Sequence, residues 1–441
     1  MPLIQKQLAL AVIFALGFSS AQFAHAREDI DPDSEWIEIP VDGKKTQHRP
    51  VQPVPAGDFH FADHATTRNG QRVAQVLDHG VATLLKSGEL NEWQEYELEN
   101  LSRRLANLKP GRLGEVLEQL AGSQNANLAS ATQNSMTPLN TSLLSAMRQL
   151  SDERNAGNDQ GHGRLWLHAL GSAGKLEGQH ASAGLQQRTR GLVLGGDWAL
   201  DDSWRVGVMG AKSASELRAA RFKGELDSWH LGGYAVRQDG PLALRLGVIY
   251  SRHAGETKRT VDVDFAGYRE QSQGKYTAHS QNAFTELGYQ LDKGGFSVEP
   301  FAGLGYQRYH RDRYTEKGRF TALNVGAQTQ GNFSSTFGLR VASAFELDNW
   351  MTLKPHLSTG WKHLYGDVSS TVRQSLAWVK RPGFNSDFTL QGTSLGRDSL
   401  AVQAGVDLAL SAQHTVGLAY SAEAGSHSRN QGVKGQWTLA F

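Results

Sequence analysis

Residues 432–441 read GVKGQWTLAF. In an extended chain Val433, Gly435, Trp437, Leu439 and Phe441 fall on one side, and Lys434, Gln436 and Thr438 fall on the other. Chain segments fray where water surrounds them, so an apolar stripe carried through to Phe441 asks for surroundings that keep it apolar. A strand with lipid on one side and a polar interior on the other has this period of two.

The same period runs through the chain from Arg164 onward. Leu242, Leu244, Leu246, Val248 and Tyr250 alternate with Ala243, Arg245, Gly247 and Ile249. Leu400, Val402, Ala404, Val406, Leu408 and Leu410 alternate with Ala401, Gln403, Gly405 and Asp407. The stretches RGLVLGGDWAL and FGLRVASAF repeat the pattern, with Asp197 and Arg340 on the polar side. Separators alternate in length. Tight turns are expected at 201–202, 238–240, 292–295, 348–349 and 411–413, and long polar stretches near 174–187, 214–224, 254–274, 311–330 and 367–395.

Short turns on one side and long loops on the other are the layout of an all-β transmembrane barrel, here of about twelve antiparallel strands. The polar face carries Asp197, Arg245, Glu286, Glu299, Arg340, Lys354, Lys362, Asp407 and Lys434. A dry soluble barrel or β-sandwich would bury these charges at several kcal/mol each, whereas a water-filled lumen holds them at little cost. They are therefore expected to line the lumen. Trp198, Trp229, Tyr250, Tyr289, Tyr306, Trp361 and Tyr420 sit on the apolar face, several near strand ends, as interfacial girdles do.

Composition agrees. The chain has 441 residues with net charge +1, which gives no reason to expect a nucleic-acid partner. Its 48 Gly against 12 Pro suit strands that pass close to other backbone. Cysteine is absent, which excludes disulfides, thiolate metal sites and Cys nucleophiles. A mean hydropathy of −0.45 is compatible with membrane strands that are apolar at every second residue. Residues 1–26 read as a signal peptide: Lys6, an apolar core from Leu8 to Phe18, then Ala24 and Ala26 as the small residues of a signal-peptidase site. The apolar run is too short to span a bilayer.

Residues 27–68 are polar, rich in Pro and without periodicity, and read as extended or disordered. From 69 the pattern is helical: Val73, Val76, Leu77, Gly80, Leu84 and Leu85, then Leu98, Leu101, Leu105 and Leu108, recur at three- and four-residue steps. KPGR at 109–112 and Pro138 interrupt it, and a Gly/Asn/Asp-rich joint at 155–163 leads to the strands. The divisions expected are 1–26, 27–68, a helical linker at 69–160 and a barrel at 161–441.

The stretch LGEVLEQLAGSQNANLASATQNSMTPLNTSLLSAMRQL, the strands after it, and TLQGTSLGRDSLAVQAGVDLALSAQHTVGLAYSAEAGSHSRNQGVKGQWTLAF together resemble the C-terminal unit of an autotransporter. GLVLGGDWAL, GELDSWHLGGYAVR and VEPFAGLGYQRY are similar to earlier strands of that unit. The resemblance covers roughly 70–441 and implies type V secretion, in which one chain builds its own outer-membrane barrel, acts as a monomer and delivers a passenger to the cell surface. It also implies a linker helix through the lumen, here 128–150, whose small and polar residues suit a wet channel. Trp437, Leu439 and Phe441 would be the signal read by the barrel-assembly machinery, with periplasmic chaperones and outer-membrane lipid as further partners. Most relatives carry a long repetitive passenger, whereas here the passenger is short. Some relatives cut themselves at paired Asn residues; Asn125, Asn127 and Asn134 are not paired. Residues 71–120 read equally well as a small periplasmic helical domain.

Two motifs point elsewhere. Residues 392–396, GTSLG, match the G-x-S-x-G elbow of serine hydrolases, but a strand follows rather than a helix, and His414 and His427 belong to another turn and strand end. Asp58, His60, Asp63 and His64 are close in sequence, with spacing too irregular for a metal motif. The expectation is a translocator without catalytic residues, metal or cofactor. A surface adhesin, binding host ligands through its loops and short passenger, is the alternative.

Overall fold

The computed structural model describes residues 36–41, 45–50, 55–88, 90–108, 111–155, 163–179, 182–263, 268–293, 295–319, 321–347, 351–377 and 386–441. The expected signal segment with Ala24 and Ala26, and the turn at 348–349, lie outside the described residues.

Twelve strands form one closed antiparallel sheet. They are β1 Gly163–Leu176, β2 Leu185–Ala199, β3 Trp204–Ala219, β4 Phe222–Asp239, β5 Leu242–Val263 and β6 Tyr268–Tyr289. Then come β7 Phe296–Arg311, β8 Gln328–Ser343, β9 Thr352–Gly366, β10 Asp398–Ala409, β11 His414–Gly425 and β12 Ser428–Ala440. Each strand pairs with its neighbour in sequence, and β12 pairs with β1 from Ser428↔Leu176 to Ala440↔Arg164. Closure leaves no sheet edge, the condition for strands to cross lipid with every backbone group bonded. Leu192, Leu194, Val208, Leu231, Val248, Leu304, Phe337, Leu400, Leu418 and Val433 are exposed on the outer wall. A belt of that extent is far larger than the apolar patches of soluble proteins; lipid accounts for it.

The tight turns lie at one end of the barrel, as the alternation of lengths predicts. At the other end the outcome differs for two of the long stretches. Residues 214–224 and 254–274 are mostly strand: Ala219 pairs with Phe222 across a two-residue turn, and β5 and β6 run 22 residues each. About 9–11 residues cross a bilayer, so these strands stand well clear of it. Their polar outer faces look like loop in the sequence because the apolar half of the alternation is lost once lipid is left behind. The stretches 311–330 and 367–395 contribute Tyr314–Thr315, Leu323–Val325, Thr371–Leu376 and Phe388–Gln391, which pair into a four-stranded sheet.

Among the described residues five α-helices precede the barrel: α1 Arg68–Ser87, α2 Glu92–Ala106, α3 Arg112–Ala121, α4 Gln124–Ser135 and α5 Thr137–Asn155. Their limits follow local chemistry. Thr67 Oγ1 accepts from the Gly70 N–H at 2.9 Å, Asn91 and Gln94 form a capping box, and Gly88 and Gly122 end helices at positive φ. Pro138 starts a helix rather than breaking one: it lies in the first turn of α5, where an N–H would have no helical partner. Only Met136 separates α4 from α5, so they run on as nearly one rod.

Residues 55–67, expected to be extended or disordered, are folded onto α1. Asp78 accepts the Phe61 and Ala62 N–H groups at 2.7 and 3.1 Å, and Phe59 and Phe61 are buried. The apolar anchors, Ala56, Phe59 and Phe61, lie in a polar stretch and are too sparse for a periodicity argument. Residues 56–121 pack at the long-loop end of the barrel. Asn69 exchanges two hydrogen bonds with the Gln391 backbone at 2.9 and 3.1 Å. Arg259 Nη1 donates to the Gln119 carbonyl at 2.9 Å, and the Asp262 N–H to Gln119 Oε1 at 2.8 Å. A position at the opposite, short-turn end is therefore not the one adopted.

Candidate functional site: the plugged lumen and its seal

Helix α5 runs down the lumen from the long-loop end. Its surroundings differ from side to side. Leu139, Leu143, Ala146, Met147 and Leu150 pack against Trp166, Val193, Met209, Ala211, Tyr234, Val236 and Ile249 of β1 to β5. Asn140, Thr141 and Arg148 face a cavity of about 230 Å³ bounded by β6 to β12. There is thus open space beside the helix on this side. The other side is closely packed, with these apolar side chains lying among polar ones such as His168, which is 2.6 Å from Ser142 Oγ of α5. Trp166 fits inward because Gly195 lies opposite: a Cβ there would come within 2.2 Å of its ring.

The charged residues of the polar face form clusters around the helix. Arg148 forks onto Glu286, with its Nε 2.9 Å from Oε1. Glu286 also accepts from Arg245 at 3.0 Å, Arg245 reaches Glu299, and Glu299 accepts from Arg340 at 3.2 Å. This row joins α5 to β5, β6, β7 and β8, with the Arg148 guanidinium also 4.9 Å from the Phe301 ring centroid. A second cluster centres on Asp197, which accepts from Arg164 at 2.9 Å and Tyr234 Oη at 2.8 Å, with Arg205 at 3.4 Å. Arg164 also donates to the Ala146 carbonyl of α5 at 2.7 Å. Lys434 Nζ donates to Ser145 Oγ at 2.5 Å, and Gln149 Nε2 to Asp407 at 3.1 Å. Lys362 pairs with Glu423 at 2.8 Å on the far wall of the cavity. Lys354 is half-buried beside Gln149, His356 and Asp407, in a cavity of about 370 Å³ at the short-turn mouth.

Above α5 the lumen is sealed. Helix α4 is almost wholly buried, and the threaded segment begins at Gln124 rather than 128. Asn125 donates to Gln374 at 2.8 Å, accepts from Tyr314 Oη at 3.0 Å, and its carbonyl takes Arg311 at 3.1 Å. Asn127 donates to Ser182 at 3.0 Å and accepts the Thr393 N–H at 2.6 Å. Glu316, held by Arg259 at 2.6 Å, completes the lid under the four-stranded sheet. The hydrolase-like stretch belongs here: Gln179 donates to the Ser394 carbonyl at 3.0 Å and accepts its N–H at 3.2 Å. Among the described residues no group of three or more His, Asp or Glu could hold a metal ion.

At the short-turn end, the Gly163 and Phe441 backbones exchange hydrogen bonds at 3.0 and 2.9 Å. The Phe441 ring lies over Gly163, where a Cβ would meet it at 2.6 Å, and is 56 % exposed. Trp437, four residues earlier on the same face, is exposed and Leu439 is half-buried.

Sequence reasoning missed Arg148, Arg164, Trp166, Tyr234 and Glu423, as well as the sealing role of Asn125 and Asn127. Arg148 carried a usable signal: it is a cation one helical turn beyond Leu144 on an otherwise uncharged face. The asparagines carried none, since their partners lie up to 266 residues away.

Residues 165–421 match the family model of the autotransporter beta-domain. The chain is 30% identical over 334 residues to an extracellular serine protease of Serratia marcescens, covering 75% of this chain and 31% of that protein. It is 32% identical over 225 residues to an uncharacterized protein of the trpE-trpG intergenic region of Pseudomonas putida, covering 48% of this chain and 36% of that one. The chain thus spans about a third of the length of these relatives. Among solved structures, the translocator domain of the autotransporter NalP from Neisseria meningitidis aligns with TM-score 0.52 at 15% identity, covering 69% of this chain and 99% of that one. By the family match over more than half its length, with the same fold of closed barrel, this chain belongs to the autotransporter family, and its barrel is the outer-membrane translocator of type V secretion.

Proposed function

We propose that the cargo this translocator displays is its own residues 56–121, folded as a helical cap on the cell surface. The observation that carries the reading is the path of the chain. Residues 56–121 pack on the long-loop end, and α4 and α5 then descend through the lumen to the short-turn end, where β1 begins. A segment delivered through the pore and retained leaves this arrangement behind. The buried helix contacts fit retention rather than release. The work is folding and closure, with no bond made or broken. Signal-peptide export and handling by assembly factors and chaperones belong to the same reading.

The test uses the cysteine-free chain. Gln75 is exposed on α1 and Asp202 is exposed in a short turn. Gln75→Cys should react with a membrane-impermeant maleimide on intact cells, and Asp202→Cys only after permeabilisation. Labelling of Asp202→Cys alone on intact cells would refute the orientation; release of 56–121 into the medium would refute retention.

A further inference from the structure

The outer wall at the long-loop end carries a one-sided basic row. In successive cross-strand pairs Lys212 of β3 lies opposite Trp229 of β4, then Arg252 of β5, His279 of β6 and His310 of β7. All five side chains are on the outer face, and Trp229 is 64 % exposed. Arg308 stands one row nearer the short turns and Arg190 one row farther out, both exposed. Directly below, toward the barrel middle, the wall is Leu194, Leu231, Tyr250, Val208 and Val248, so the row sits at the rim of the apolar belt. Lys212 Nζ lies 5.2 Å from the Trp229 ring centroid.

Nearby carboxylates are few. Asp227 is 3.8 Å from Lys212, and Asp312 is 3.6 Å from His310. Farther out, where β3 to β6 have left the membrane, Glu216, Glu225 and Glu256 alternate with Lys223, Lys258 and Lys275 in mutual ion pairs. At the short-turn rim Arg237 is paired with Asp239 at 3.5 Å. On the wall from β2 to β7 the cations at the rim of the apolar belt, Arg190, Lys212, Arg252 and Arg308, therefore outnumber the carboxylates beside them.

We propose that this row binds a membrane lipid whose headgroup carries more than one phosphate, a phosphorylated glycolipid of the leaflet at the long-loop end. Charge complementarity sets the chemistry, since cations at a membrane surface attract anionic headgroups and Arg grips phosphate by paired N–H donors. Width sets the class. Four strand spacings of about 4.8 Å separate Lys212 from His310, about 19 Å in all, more than a single phosphodiester bridges. Trp229 and Tyr250 supply apolar faces with polar tips for the sugar and acyl boundary. The proposal rests on the surface orientation given above for its leaflet, but not for the binding itself.

The test is therefore done on the purified full chain in detergent, where leaflets do not exist. Binding of diphosphoryl lipid A is measured by native mass spectrometry, beside enzymatically dephosphorylated lipid A, phosphatidylglycerol and inorganic phosphate. Diphosphoryl lipid A should bind at least tenfold tighter than each of the others. The triple variant Lys212→Gln, Arg252→Gln, Arg308→Gln should remove that preference, and Arg237→Gln should leave it intact. Heat-modifiable migration checks folding; if the triple variant fails it, Arg252→Gln alone should cost at least threefold. Equal binding of the dephosphorylated lipid or of phosphatidylglycerol, or a preference that survives the substitutions, would overturn the proposal.

Discussion

Replacing Arg148 by Ala tests what holds α5 in the lumen. The substitution removes both hydrogen bonds to Glu286 and the contact with Phe301. Breaking a buried pair costs about 3–5 kcal/mol, and the lower end applies because Arg245 still neutralises Glu286 at 3.0 Å. Opposing exit of the helix are Leu139, Leu143, Met147 and Leu150, each contributing about 1.5–3 kcal/mol of burial. The helix should thus remain in the barrel but leave it more often, by about a hundredfold for about 3 kcal/mol. The chain has no cysteine, so Ala146→Cys, fully buried against the closely packed wall, makes maleimide labelling report exit alone. Arg148→Ala should raise the labelling rate about a hundredfold with the folded band unchanged on an unboiled gel. Arg148→Lys, which keeps the charge but loses the fork, should fall between the two. A rate within threefold of the parent would show that the charged row does not anchor the helix.

The cap offers a pH test. Burial raises the pKa values of Asp78 and Glu118 above their ordinary 3.8 and 4.5, despite the hydrogen bonds to Asp78 from Phe61 and Ala62 and to Glu118 from Ser123 and Thr67. Both carboxyls then hold their protons more tightly folded than unfolded. Their contribution to stability is greatest below the unfolded values and falls as pH rises through the folded ones. Proteolysis of residues 56–121 should therefore slow as pH is lowered from 7 toward 4, and Glu118→Gln should flatten that dependence; a slope of opposite sign would refute it. At the seam, Phe441→Ala keeps both backbone bonds to Gly163 and loses only the ring. Refolding into detergent should be unchanged while insertion in cells falls several-fold; equal loss in both would make the ring a matter of folding rather than of recognition.

The barrel was legible because its evidence is local. Alternation such as Leu242 to Tyr250 is set by two neighbouring environments, lipid and lumen, and each residue reports its own. The contrast of short turns with long stretches gave the sidedness. What failed to show was whatever depends on a distant partner. Residues 214–224 looked like loop because water lies outside the strand there, so the apolar alternation that marks a lipid-facing strand is missing. Phe59 and Phe61 gave no signal in the polar stretch 27–68 because their partner surface is on α1, where Asp78, which accepts the Phe61 N–H, lies 17 residues on. Asn125 and Asn127 invited thoughts of cleavage only because sequence supplies a residue's chemistry and not its partners.

The same distinction explains why the plug has two unlike halves. A wall made only of charges would hold α5 in every rotation about equally well, since long side chains can follow a shifted partner. A wall made only of apolar contacts would make the lumen a dry core through which a polar chain could not pass. Here Trp166 and Tyr234 fix the rotation of the helix from one side, in slots left by Gly195 and Gly207, where a Cβ would lie 2.2 and 2.3 Å from the rings. The Arg148–Glu286 pair and the cavity of about 230 Å³ lie on the other. The Leu stripe of α5 packs against the wall opposite that cavity. If the cap is retained as proposed, its hold depends on the Leu stripe of α5 as well as on Arg148.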